Sequence, residues 1–233
     1  MADPLLEIVE NLSRYHREHE KHYSFDGLEE ALRLQRASRT LKALAERWQV
    51  VAPAESPAPS PYAGAEDLND ERAIEESGVL FMEGQGEPTE IAEMKAELKS
   101  KAATSMEGGE WLANAMQASW GVAEALLGYP ELADLLGERH RIIANNWQTA
   151  SLFQLHSHLL ERSVTILGKV DFSPAALRED LAGERRAPAY LFSAAELLDR
   201  AADISSEAAV LIHQNERRWR IFNDRVKQLT PRG

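Results

Sequence analysis

Residues 138–167 read ERHRIIANNWQTASLFQLHSHLLERSVTIL, with neither glycine nor proline. The apolar residues Ile142, Ile143, Trp147, Leu152, Phe153, Leu155, Leu159, Leu160, Val164, Ile166 and Leu167 recur at helical spacing. They cover most of a helix's circumference. That predicts one long helix at the centre of the fold, with neighbours on several sides.

On the C-terminal side, Ser173-Pro174 starts a shorter helix, broken by Gly183 and Pro188. Ser193 with Glu196 forms a capping box for a last helix running to about Leu229. Its stripe is Leu197, Ala201, Ile204, Ala208, Leu211, Ile212, Asn215, Trp219, Phe222 and Val226. The small residues Ala201 and Ala208 admit a close helix neighbour.

On the N-terminal side, Trp111, Leu112, Ala115, Met116, Trp120, Ala123 and Leu127 form another helical stripe, ended by Gly128. Pro130 starts the following helix, which Gly137 interrupts briefly. Residues 66–107 carry twelve Asp or Glu against four Lys or Arg. The breaks at Gly78 and at GQGEP (84–88) divide this stretch into two helices, the second capped by Thr89 and running from Glu90 to about Ala102. Residues 51–64, VAPAESPAPSPYAG, are a linker of extended, polyproline-like character.

The first fifty residues read as a helical hairpin. Asp3-Pro4 starts its first arm, which carries Leu5, Ile8, Leu12, Tyr15, His19 and His22. Asp26 with Glu29 caps the second arm, whose narrow seam is Leu34, Ala37, Leu41, Leu44 and Trp48. No segment alternates with period two, so no sheet is expected. The fold class is all-α, a helical bundle core with an N-terminal helical hairpin on a Pro/Ala-rich linker. Its parts are the hairpin (1–50), the linker (51–64), an acidic helical segment (65–104) and the main bundle (105–233).

Composition narrows the function. The formal net charge is −12, which repels a phosphate backbone and argues against nucleic-acid binding. No apolar run reaches the roughly 20 residues of a membrane helix. The N-terminus, MADPLLEIVE, lacks the basic and apolar regions of a signal peptide. There is no cysteine, so disulfides, Cys-ligated zinc, iron–sulfur clusters and thiol catalysis are excluded. The expected location is the cytoplasm.

Three constellations could carry chemistry. His16, His19 and His22 are spaced by three, so two imidazoles can share a helix face. His158 with Glu161, and His213 with Glu216, repeat a His-x-x-Glu step on two long helices. That step is the reverse of the Glu-x-x-His step of carboxylate-bridged di-metal bundles. Both pairs lie on polar flanks, where a bundle-core metal site would not. The third constellation is buried polarity. Asn215 lies in the last stripe and Asn145 and Asn146 interrupt the central one, the placement of residues that fix helix register. The five tryptophans fall at positions expected to face the core. No phosphate-binding glycine loop, nucleophile elbow or catalytic triad is present.

The leading functional expectation is a non-catalytic helical interaction protein, an accessory, adaptor or assembly subunit, with no cofactor. Its partner is another protein or a second copy, docked through Leu34, Leu41, Leu44 and Trp48. The alternative is a ferritin-like metal-binding bundle with oxidase, oxygenase or storage activity. That reading takes iron or manganese on His16, His19, His158, Glu161, His213 and Glu216. A third reading places an apolar ligand in a Trp-rich core.

Overall fold

In the computed structural model the chain is all-α. Among the described residues it forms α1 (Gly27–Val51), α2 (Thr89–Leu126), α3 (Ala133–Leu167) and α4 (Arg186–Leu229), and no strand. The structure describes Glu7 and residues 26–51, 87–130, 133–173 and 186–229. The first arm of the expected hairpin, most of the linker, the first acidic helix and the helix expected after Ser173 lie outside these residues.

Local chemistry sets the helix ends. Asp26 caps α1: its Oδ1 accepts the Glu29 backbone N–H at 3.0 Å, and its carbonyl accepts that of Glu30 at 2.9 Å. The start of α2 differs slightly from expectation. The Pro88 carbonyl accepts from Ile91 and Ala92, so Thr89 is already helical. Lys95 reaches back to both carboxylate oxygens of Glu87, at 2.7 and 2.9 Å.

Three expected interruptions are absent. First, α2 does not end near Ala102 but runs on through Gly108 and Gly109 to Leu126. A Cβ at Gly109 would lie 3.2 Å from the Ala150 carbonyl oxygen, so this glycine marks a close approach of α2 to α3. Second, α4 begins at Arg186, and Ser193 with Glu196 lies inside it. Pro188 occupies the first turn, where a missing backbone N–H costs nothing, so it starts this helix rather than breaking it. Gly137 likewise lies within α3 and does not interrupt it.

The helices supply residues to two compact units, one of residues 1–32, 102–158 and 201–233, the other of residues 33–101 and 159–200. In the first unit, α3 runs antiparallel to α2 and to α4. Ser105 meets His156 and Trp120 meets His140 along one side. Gln148 meets Glu207, and Asn146 meets Asn215, along the other. A core cluster of Leu112, Ala150, Phe153 and Ala208, with Trp111, Leu152 and Ile212 against it, joins the three helices. The Ser205 hydroxyl donates to the Gly27 carbonyl at 3.0 Å and fastens the start of α1 to α4.

In the second unit, Leu34, Leu41, Leu98, Leu160, Leu167, Leu191 and Leu198 are buried. Small buried residues, Ala187, Ala194 and Ala195, line the same stretch of α4. Lys42 on α1 donates to Asp199 on α4 at 2.6 Å. Partial burial alone raises the Asp199 carboxyl. The Lys42 hydrogen bond, the nearby Ser38 hydroxyl and the Lys42 and Arg39 charges outweigh it and hold the group below its ordinary value.

Two tests follow from this architecture. A Cβ at Gly137 would meet nothing within 4 Å, so Gly137→Ala is expected to stabilise the protein by about 0.5–1 kcal/mol. Gly109→Ala must push a helix backbone and is expected to destabilise by about 1 kcal/mol despite the better helix former. Urea denaturation of the two variants checks the opposite signs. A carboxyl held low stabilises the fold above its unfolded value and loses that contribution as pH falls through its folded value. Lys42→Met is therefore expected to lower stability at pH 7, by less than about 1 kcal/mol for so exposed a pair. The difference from wild type should shrink below about pH 4, as urea titrations at pH 7 and 3 would show.

Candidate functional site

The inner face of α3 is more polar than its neighbours require. At 100° per residue, Arg139, Asn146 and Ser157 share one line of the helix, with Thr149 and His156 to one side. All five are buried. Thr149 returns its hydroxyl to the Asn145 carbonyl at 2.8 Å. His156 Nδ1 and the Ser105 hydroxyl are 2.8 Å apart. Both groups lie in the interior, so this Ser–His pair presents no nucleophile to a substrate.

Arg139 is completely buried. Its guanidinium lies 4.5 Å from the centre of the Trp219 ring and 5.5 Å from that of Phe222, and those two rings stack on each other. Burial pushes its pKa down to about 9, which leaves it charged at neutral pH. One helical turn away, the Asn215 side-chain amide donates to Asn146 Oδ1 and, at 3.4 Å, to the Ile142 carbonyl. Asn146 Nδ2 and Asn215 Oδ1 make no hydrogen bond among the described residues. The amide pair thus fixes register at some cost in stability.

The outer face of α3 corrects the expectation of a helix covered on all sides. Trp147 is 63% exposed and Leu155 is 47% exposed. Trp120 and Leu127 on α2 are exposed as well, so two of the five tryptophans lie outside the core. Trp120 and Trp147 therefore do not line the expected Trp-rich interior. Periodicity counted the apolar residues on α3 but not its neighbours. In the first unit α2 and α4 cover one arc, and Trp147 lies beyond its edge. The exposed large apolar side chains also include Leu28, Leu32, Met106, Val210 and Ile221. Among the described residues, all of them belong to the first unit.

The residues expected to form a docking seam are placed differently. Leu34 and Leu41 are buried in the chain's own core and Leu44 is half-buried; the Trp48 side chain lies outside the described residues. The metal candidates His158, Glu161, His213 and Glu216 are each exposed, and His16 and His19 lie outside the described residues. Among the described residues no three His, Asp or Glu side chains come together as a cation site. Sequence reasoning missed Arg139 and the Ser105–His156 pair. The signal was present, because Arg139 stands one turn before Ile142 and Ile143 on the buried arc. Comparison with protein-family models, curated sequences and solved structures finds no match.

Arg139→Lys is expected to lower stability by about 1–2 kcal/mol, because an ammonium cannot lie flat on the stacked rings. Arg141→Lys, on the exposed side of the same helix, should leave the urea midpoint unchanged.

Proposed function

We propose that this chain is a non-catalytic helical interaction protein, an accessory or assembly subunit. One observation carries the reading: large apolar side chains, two tryptophans among them, stand exposed on the helices of a single unit. Surface of this kind is a feature of docking sites, and tryptophan is enriched among the residues that dominate binding. The buried polar groups support the same reading. Asn215 bonds to Asn146, Ser105 meets His156, and Arg139 stacks on the Trp219 and Phe222 rings inside the bundle.

The docking surface in this proposal differs from the one expected from the sequence. Leu34 and Leu41 are occupied at home, so the exposed faces of α2 and α3 take over that role. No described helix is long and apolar enough to cross a membrane. The absence of cysteine supports a reducing compartment, and we place the protein in the cytoplasm on that ground.

The test is affinity capture with the full chain, wild type beside Trp120→Glu and Trp147→Glu. Wild type should retain a partner, or a second copy, in stoichiometric amount. At least one variant should lose it while keeping the wild-type circular dichroism spectrum and melting curve. A wild-type protein that retains nothing overturns the reading.

A further inference from the structure

The stretch Ala31–Ala45, ALRLQRASRTLKALA, holds four cations and no Asp or Glu, in a chain whose formal net charge is −12. The four are Arg33, Arg36, Arg39 and Lys42, spaced by three, and Arg47 follows. Helix α1 turns this run into a face. At 100° per residue, Arg36, Ala43 and Arg47 fall within about 40° of one line, and Arg39 stands about 60° to the side of Arg36. All four are exposed. Leu34, Leu41 and Ala45 take the opposite, buried side.

Lys42 is matched within the chain, where it donates to Asp199 at 2.6 Å. Arg36, Arg39 and Arg47 make no ion pair among the described residues. Arg39 returns its Nε to the Gln35 carbonyl at 3.2 Å and acts on Asp199 only through its charge. The cations near the end of α4 are arranged differently. There Arg217, Arg220, Arg225 and Lys227 are interspersed with Glu216 and Asp224, and Arg220 has an acid four residues away on each side. That is the spacing at which helix charges neutralise one another. Between Glu30 and Glu46, α1 has no such acid.

The complement of this face is a carboxylate. A guanidinium presents a planar fork of donors that matches the two oxygens of a carboxylate. From Arg36 to Arg47 the face is about 16 Å long, with Glu29 and Glu46 at its margins. That length favours a short acidic peptide segment, whose carboxylates fit within it. A nucleic-acid duplex carries a charge every ~1.7 Å along its axis and runs past the face onto the acidic margins, where it is repelled.

We propose that the Arg36–Arg39–Arg47 face of α1 docks an acidic segment of a partner protein, whose carboxylates pair with the three guanidinium groups. The face belongs to the second unit, whereas the exposed large apolar side chains belong to the first. The inference therefore goes beyond the interaction reading above and does not rest on Trp120 or Trp147.

The test uses the full chain and a dye-labelled decaglutamate peptide, read by fluorescence anisotropy. Wild type should bind the peptide saturably, and raising salt from about 50 to 300 mM should weaken binding at least threefold, as screening of exposed charges requires. Arg36→Glu with Arg47→Glu should weaken it at least tenfold while keeping the wild-type circular dichroism and melting curve. Arg36→Gln with Arg47→Gln, which puts no new charge on the helix, should weaken it at least threefold. Arg217→Glu with Arg225→Glu on α4 makes the same change in net charge as the first pair and should leave binding within twofold of wild type. A labelled DNA duplex of about 20 base pairs should bind at least tenfold more weakly than the peptide.

A wild-type chain that does not bind the peptide overturns the proposal. Equal loss in the α1 and α4 glutamate variants overturns it as well, because the effect is then one of net charge. A duplex that binds as tightly as the peptide shows that an acidic protein segment is the wrong occupant. None of these results bears on the Trp120 and Trp147 variants, which test the interaction reading separately.

Discussion

Asn215 donates its side-chain amide to two acceptors on α3, the Ile142 carbonyl and Asn146 Oδ1, and this pairing admits one register of α4 against α3. Apolar ridges alone would tolerate a slide by one turn at modest cost. The half-buried amide pair does not, because a slide breaks the Asn215–Asn146 hydrogen bond. With the register set, Arg139 falls over Trp219 and Phe222, and Gln148 falls beside Glu207. These contacts between α3 and α4 share one register.

The same register divides α3 into an inner and an outer arc. The inner arc carries the buried arginine, the amides and the Ser105–His156 contact. The outer arc carries Trp147 and Leu155 with no formal charge near them on the helix. Polar residues thus join the apolar core inside, and two large apolar residues stand outside, along one element. That mixing is tolerated inside although Asn146 Nδ2, Ser157 Oγ and Asn215 Oδ1 make no hydrogen bond among the described residues. Outside it puts hydrophobic surface in water, which is favourable to cover. Structure and proposed role meet at that outer arc.

Much of the fold was legible in the sequence. The helical period of α2, α3 and α4, the absence of strands among the described residues, the Asp26 cap and the inward placement of Asn215 all follow from residue spacing and side-chain chemistry. The helix ends were less legible. Pro188 has two readings, as a breaker or as a first-turn residue, and only the turn itself decides between them; the continuation of α2 past Ala102 rests on its packing against α3. The outer face was not legible, for a related reason. A wheel shows where Trp147 and Trp120 point but not whether another helix stands there. Arg139 was hidden by its position near the expected start of a helix, where a charge is ordinary.

The contacts that hold α1 join distant parts of the chain: Lys42 and Asp199 are 157 residues apart, and Ser205 and Gly27 are 178. Both of these contacts are made to α4, which is synthesised well after α1. At about 5–20 residues per second, α1 emerges roughly 8–30 s before the surface that holds it exists. During that interval Leu34 and Leu41, buried in the finished protein, lack α4 beside them. The order of synthesis thus delays these two fastenings of α1 until α4 has emerged.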